Sequence, residues 1–479
     1  LANSIGSATK WALIGQFTKL FLRFGVNILL AKVIAPSEFG LVGMVTVFIT
    51  IFNVVGELGL VASIIQKNEV SEEELSSVFW VNVILGVFAA IVLFSISSFV
   101  ADFYHKEELS LIIKVLSINF ITNSFIITHN ALLAKSLNFK AIELYSTIAT
   151  TISSCVSIYM AFSGFGVWAL VSQQIINVNL TVALTWFFNK WRPLFSFNFR
   201  SIKEMLRFGF KVFLSSILNT VFSSIDVLII GRYFSSSVVG IYSYAQMLVN
   251  TPVTTFSSAF VRVLFPVLSN LQNNDQLMKS TYKKVISIVN VVIMPAMVSV
   301  YIFAEPIVQV LFNEKWIGLA DYIKYFALIG MIYPISAINI NIILAKGQAG
   351  EFLKLEIYKK VILVVGVLIG INFGITGILR GILVSSIASL LLNMYFSSKA
   401  SSYKIYEQVL DQIPLLLISI GYSISLLAAD YFLSKYFGDI PRIIMSLVIS
   451  IPLFYLLLSR FLPNTKEEFF RFLKIKSHH

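Results

Sequence analysis

Gln16, Lys19, Arg23 and Asn27 recur at steps of three, four and four inside an otherwise apolar stretch. That spacing places all four on one face of a helix. Thr46, Thr50, Asn53 and Glu57 repeat the pattern one segment later. A third stripe holds Lys211, Ser215, Asn219, Ser223 and Asp226, and a fourth holds Gln246, Asn250, Thr254, Ser258 and Arg262. These residue types do not form a hydrolytic or redox centre. They can replace water around a polar, charged solute, and an arginine fork suits phosphate oxygens.

The charges sort by sign. Lys19, Arg23, Lys211 and Arg262 are cations set against Glu57, and Asp226 lies further along its segment. An anionic headgroup is attracted to such a set. Lys19 and Glu57 sit at similar depth, so a Lys19–Glu57 or Arg23–Glu57 pair is one expectation. Gln16, Asn27, Asn53, Asn219, Gln246 and Asn250 read as the polar lining. Glu57 and Asp226 are candidates for ion coupling or gating, and Asp226 also has Arg232 within reach as a structural partner. The bland alternative is that polar side chains hold helices together or that Lys211 snorkels to the interface.

The elements that position these residues are membrane helices. Of 479 residues, 57% are hydrophobic and 13% are charged, against about 25% charged in soluble domains. That excludes a string of soluble domains, and 14% aromatic content excludes a disordered chain. A helix needs about 20 mostly apolar residues to cross a bilayer. Such segments lie near 11–34, 39–65, 76–100, 109–133, 141–163, 165–189, 206–233, 238–266, 281–304, 319–345, 353–373, 375–397, 411–434 and 440–462. The fold class is therefore an all-α integral membrane protein of about fourteen spans. The runs are too long for a β-barrel and lack period-two alternation. The first apolar stretch is read as a span and not as a cleavable leader.

The net charge of +12 does not imply nucleic acid in a chain this apolar. Placing both termini in the cytoplasm gathers basic residues on the inner loops with about threefold excess, as the positive-inside rule requires. All external loops are short, which leaves no room for a soluble active site, and no enzyme activity is expected. The single cysteine, Cys155, allows no internal disulfide. No metal-ligand spacing occurs, and no cofactor is expected beyond a coupling Na+ or H+.

The chain also repeats near a spacing of about 200 residues, the mark of a transporter built from two copies. Leu30-Ala31-Lys32 with Gly40 aligns with Ile230-Gly231-Arg232 with Gly240, and Leu133-Ala134-Lys135 aligns with Leu344-Ala345-Lys346. Phe165-Gly166-Val167 matches Phe373-Gly374-Ile375. Six spans per copy give two pseudo-symmetric lobes in the same orientation with a cavity between them. The expected organisation is an N-lobe over 1–190, a basic cytoplasmic linker over 191–205, a C-lobe over 206–400 and two further spans with a tail over 401–479. Pro252, Pro295 and Pro334 permit kinks. Gly366, Gly370 and Gly374 read as a close-packing face. The acidic cluster Glu69, Glu72, Glu73 and Glu74 reads as a solvated loop or helix start or, more sharply, as a gate pairing with the basic loops.

Several ordered stretches carry a resemblance. They are Leu30-Ala-Lys-Val-Ile-Ala-Pro-Ser-Glu-Phe-Gly40, Glu57-Leu-Gly-Leu60 with Ile65-Gln66, Ser77-Val-Phe-Trp80 and Gly164-Phe-Gly-Val-Trp-Ala-Leu170. Asp226-Val-Leu-Ile-Ile-Gly-Arg232, Gly240-Ile-Tyr-Ser243, Phe265-Pro266 and Ala304-Glu-Pro306 with Leu311-Phe312 follow. In order and spacing they resemble the polysaccharide flippases of the multidrug/oligosaccharidyl-lipid/polysaccharide exporter superfamily, of the type serving colanic-acid and teichuronic-acid export. The resemblance covers roughly residues 1–400.

It implies a two-lobed transporter in the bacterial inner membrane, working as a monomer. The implied partner is an undecaprenyl-diphosphate-linked oligosaccharide, moved from the cytoplasmic to the outer leaflet by alternating access. Related peptidoglycan-precursor flippases carry cations in their first span, where Lys19 and Arg23 stand here. A peptidoglycan-precursor flippase and an ion-coupled exporter of small cationic drugs remain the alternatives, the latter disfavoured by the cationic stripe.

Overall fold

A bilayer offers its interior no water, so every backbone N–H and C=O there must bond within the protein, and long apolar segments close into helices. The structure, a computed structural model, describes residues 2–57, 59–67 and 69–468, with the side chains of residues 2–10, 12, 13, 57, 211, 259, 262, 263, 265 and 266 left undescribed. Among the described residues there are helices and no strands.

The chain divides into two compact units, Leu1–Ser243 and Tyr244–His479. The first holds α1 (Ala2–Val33), α2 (Pro36–Glu57), α3 (Leu60–Gln66), α4 (Glu72–Tyr104) and α5 (Glu108–Lys135). It continues with α6 (Phe139–Phe162), α7 (Val167–Phe188), α8 (Phe199–Ser223) and α9 (Ile225–Tyr233). The division falls within α10 (Ser236–Asn270). The second unit adds α11 (Asp275–Ile302), α12 (Ala304–Leu311), α13 (Leu319–Ala345), α14 (Ala349–Ile371), α15 (Gly374–Ala400), α16 (Ile405–Leu433) and α17 (Asp439–Phe461).

The fourteen expected segments fall on helices, the second divided between α2 and α3 and the seventh between α8 and α9. Twelve helices among the described residues are long and apolar enough to cross a membrane, with α8 and α9 forming one of them. The eighth and eleventh expected spans, α10 and α14, fall outside that set. In α14, Glu351, Lys354, Glu356, Lys359 and Lys360 crowd the first half of the helix.

In the first unit α1 packs on α6, α4 on α5, and α7 on both α5 and α6. Val26, Leu30 and Ile34 join Ala161, Ala169 and Leu170 in one buried cluster. A second cluster, containing Leu60, Ile64, Leu75, Val78, Ala131, Ile202 and Met205, ties α3, α4, α5 and α8 together. In the second unit α14 packs on α15, α13 on α11 and α15, and α16 on α17.

The repeated glycines meet each other. A Cβ on Gly40 would lie 1.7 Å from the carbonyl oxygen of Ser236, and one on Gly240 would lie 1.8 Å from that of Pro36. Residues 36 and 40 thus exchange equivalent contacts with 236 and 240, as matched faces do about a two-fold axis. Two members of the second glycine run pack closely within one hairpin: a Cβ on Gly366 would meet the Gly381 carbonyl oxygen at 2.9 Å and one on Gly370 the Gly377 carbonyl oxygen at 2.7 Å, whereas Gly374 has open space at its Cβ position.

The acidic run opens α4. Ser71 and Glu74 form a capping box, satisfying N–H groups that the first turn leaves unpaired. Glu72 accepts from the Trp191 indole at 2.8 Å and Glu73 from the Asn198 amide at 3.0 Å. Ser76 and Ser77 accept from the backbone N–H groups of Leu194 and Asn198, each at 2.9 Å. The segment after α7 is therefore strapped along the start of α4, and α8 already begins at Phe199.

Candidate functional site

The helical-face argument puts Arg23 and Asn27 side by side on α1, and the fold of the first unit brings Asn53 of α2 to the same place. These three line a pocket of about 370 Å³ with Asn119 and Asn123 of α5, Thr150 and Ser153 of α6, and Gln173, Gln174 and Asn177 of α7. Thr150 and Ser153 lie midway along α6, and Asn119 and Asn123 near the middle of α5. The pocket is thus well inside the helical bundle and not at its ends.

Its walls are built from amides and hydroxyls, part of which are already cross-bonded. Asn177 donates to Thr150 Oγ1 at 3.0 Å, and Gln173 donates to Ser154 Oγ at 3.2 Å. The Asn119 Oδ1 atom is buried and has no hydrogen-bond partner among the described residues. Among the described residues of the lining Arg23 is the one that carries a charge, and none is a carboxylate. Arg23 also makes no ion pair among the described residues. A charge inside the hydrocarbon costs about 2.5–3.5 kcal/mol on insertion scales, and an anion beside Arg23 would offset that cost. The five N–H donors of Arg23 face a ring of side chains that can both give and accept hydrogen bonds.

Lys19 is placed differently. Its ammonium lies 2.7 Å from Glu143 of α6 and 3.4 Å from Ser146 Oγ. Both side chains of the ion pair are largely shielded, at 20% and 17% exposure. Glu143 is an acid that the face argument did not single out, since it stands alone on its segment. The Glu57 side chain lies outside the described residues, as do those of Lys211 and Arg262.

The other candidates are distributed. Gln16 is half-buried on α1, and Asn219 is exposed on α8. Gln246 and Asn250 are half-buried in the second unit's part of α10. Thr46 and Thr50 turn their hydroxyls back onto the carbonyls of Val42 and Thr46, at 2.7 and 2.8 Å. Asp226 is 7% exposed at the start of α9. Its Oδ2 accepts from the Tyr242 hydroxyl at 2.5 Å, and its Oδ1 from the Val227 N–H at 2.8 Å. Arg232, the basic residue expected near it, instead donates to the Phe103 carbonyl and bonds His105 Nε2 at 2.6 Å.

Five wall residues, Asn119, Asn123, Gln173, Gln174 and Asn177, were not among the candidates. The signal was present: Asn119 and Asn123, like Gln173 and Asn177, stand four apart and share a helix face. Shorter stripes without a formal charge attract less notice than Lys19 and Arg23.

The comparisons with known proteins follow the same direction. The family described as polysaccharide biosynthesis protein matches residues 29–321. The lipopolysaccharide biosynthesis protein WzxC of Escherichia coli (strain K12) is 25% identical over 365 residues, covering 76% of this chain and 74% of that protein. Among solved structures, the lipid II flippase MurJ in an inward closed conformation superposes with a TM-score of 0.76 at 14% identity, over 94% of this chain and 98% of that one. An inward-facing multidrug resistance transporter of the MATE family, in the MOP superfamily, superposes with a TM-score of 0.63 at 16% identity, over 81% and 98%. At those identities the structural likeness speaks for the fold.

Proposed function

The chain belongs to the polysaccharide biosynthesis protein family, and from that premise we propose that this MOP-superfamily flippase carries an undecaprenyl-diphosphate-linked oligosaccharide from the cytoplasmic to the outer leaflet of the bacterial inner membrane. The observation that carries the reading is the pocket around Arg23, whose described lining holds one cation, no carboxylate, and rows of amides and hydroxyls. A sugar presents hydroxyls that give and accept hydrogen bonds, and a phosphate presents acceptors that match a guanidinium. An organic cation would find no counter-charge among the described lining residues, which argues against a drug exporter.

The energetics suit outward movement. Each negative charge carried outward along an inside-negative potential gains about 2.3 kcal/mol per 100 mV. The protein then has to replace hydration around the headgroup and sugars, while the lipid tail stays in the bilayer. Alternating access is the mechanism we propose, with the repeats 1–190 and 206–400 as the moving parts, 191–205 joining them, 401–479 following, and both termini cytoplasmic. Asp226, bonded to Tyr242, and Glu57 are the carboxylates through which an ion could couple.

The test is export in cells lacking their own polysaccharide flippase and carrying this gene. Arg23→Ala is expected to abolish surface polysaccharide with the protein still in the membrane. Full export by a Lys19→Ala/Arg23→Ala double variant overturns the cationic-site reading. In liposomes, outward movement of a lipid-diphosphate oligosaccharide is expected to follow an imposed potential, and independence of that potential removes the proposed driving force.

A further inference from the structure

The seam between α1 and α6 carries a ladder of side chains that leads to the pocket. Trp11 of α1 lies under the Lys140 ammonium of α6, 5.1 Å from its ring centre. One turn on, Gly15 leaves room for Glu143, which a Cβ at that position would run into. Lys19 follows, with its ammonium 2.7 Å from Glu143 Oε2 and 3.4 Å from Ser146 Oγ. The next step is Arg23, which lines the pocket together with Thr150 and Ser153. Glu143, Ser146, Thr150 and Ser153 recur at steps of three, four and three, so they share one face of α6. Glu143 therefore stands on the pocket's own face of α6, between the helix start and the pocket wall.

Lys19 and Arg23 are four apart, which makes their side chains neighbours on α1. Arg23 makes no ion pair among the described residues, whereas Lys19 is held by Glu143. A lipid diphosphate brings two phosphoryl groups. The Arg23 guanidinium can fork onto one of them. The cation one turn away is Lys19, a point charge on a flexible four-carbon stem. To reach the second phosphoryl group its ammonium has to leave Glu143. A shielded carboxylate left without its partner is costly, so a ligand recruits Lys19 only against that cost. In this arrangement the carboxylate occupies Lys19 as a phosphoryl group would.

We propose that Glu143 is a positioning residue that competes with the diphosphate of the transported lipid for Lys19. Lys19 alternates between Glu143 and the headgroup, and its return to Glu143 helps the headgroup to leave. A translocation site has to bind firmly enough to load and weakly enough to let go, and Glu143 sets that balance. The role rests on the lipid-diphosphate reading above.

The experiment titrates the purified full chain with undecaprenyl diphosphate and, separately, undecaprenyl phosphate, with native mass spectrometry as the readout. Glu143→Gln is expected to bind the diphosphate about tenfold more tightly, which is about 1.4 kcal/mol, and the monophosphate hardly more tightly than wild type does. Polysaccharide export by the same variant is expected to fall, because release slows. Tighter binding with poorer export is a combination that a loss of packing alone does not give. Lys19→Gln/Glu143→Gln is expected to bind the diphosphate no more tightly than wild type. Unchanged or weaker diphosphate binding by Glu143→Gln, an equal gain for the monophosphate, or a gain that persists in the double variant overturns the proposal. Should Glu143→Gln fail to fold, difference infrared spectra of the unsubstituted chain decide. Diphosphate binding is expected to shift a carboxylate band that the neutral double variant lacks, and the absence of such a band overturns the exchange. Arg23→Ala is measured beside these variants. If it binds the diphosphate as wild type does, the cationic-site reading itself fails; if it binds weakly while Glu143→Gln changes nothing, only the competitor role fails.

Discussion

The ammonium of Lys19 lies 2.7 Å from the carboxylate of Glu143, one helical turn before Arg23 on the same face of α1. That relationship separates two cations that look equivalent in the sequence. Lys19 is engaged in holding α1 to α6, while Arg23 faces a pocket with no carboxylate among its described lining residues.

Removing one member of the Lys19–Glu143 pair is expected to cost more than removing both. Lys19→Gln leaves a half-buried carboxylate without its partner. The loss should fall between the ~1 kcal/mol of exposed pairs and the ~3–5 kcal/mol of buried ones. Lys19→Gln/Glu143→Gln should recover much of it. Thermal unfolding of the detergent-solubilised protein measures both, and equal losses in the single and double variants would remove the pair's structural role.

Export should depend on the neutral walls of the pocket as well as on Arg23. Asn119→Ala and Asn177→Ala are each expected to lower polysaccharide export several-fold, since a lost hydrogen bond to a ligand is worth about 1 kcal/mol or more. Arg23→Lys should keep only part of the activity, because a point charge replaces a two-pronged donor. Quantified surface polysaccharide at matched protein levels checks these, and wild-type export by all three variants would move the site elsewhere.

The reciprocal glycine contact predicts non-additivity. Gly40→Ala and Gly240→Ala each push a methyl into a carbonyl of the facing helix, an overpacking that costs about 1–3 kcal/mol. Once one substitution has parted the two helix starts, the second meets less resistance, so the double variant should lose less than the sum. Melting temperatures of the four proteins form the cycle.

The strap along α4 should control access to the basic segment behind it. Replacing Ser77 with Ala removes the acceptor for the Asn198 N–H. A loss of about 1 kcal/mol would raise local opening about five-fold. Trypsin cleavage at Lys190 or Arg200 should quicken accordingly, and an unchanged cleavage rate would show that the strap is held by other contacts.

A pH effect is expected at Glu305, on the short helix α12. The Lys324 ammonium, 2.5 Å away, holds its carboxyl below the usual carboxylate range, by hydrogen bond first and by charge second. A depressed folded-state value means the pair stabilises above the ordinary carboxylate pKa and is lost as pH falls through the lowered one. Glu305 is largely exposed, so the contribution lies within the ~0–1 kcal/mol of surface pairs. The melting temperature of Glu305→Gln should match wild type at low pH and fall slightly below it near neutrality.

Much of this protein is determined by local sequence. A run of about 20 apolar residues has one stable form in a bilayer, so helix positions, breaks such as Ala35-Pro36 and Gly166, and the shared face of Gln16, Lys19, Arg23 and Asn27 follow without a fold. The 200-residue echo of Gly40 in Gly240 was legible too, though not that the two glycines touch. What needed tertiary structure was partnership across helices. Nothing in the spacing of α1 says that Lys19 meets Glu143, 124 positions away in chain order. Nor does it say that Arg23 opens onto amides from α5 and α7. Periodicity assigns a residue to a face; which neighbour that face meets depends on how the helices pack, and that packing is a property of all of them together.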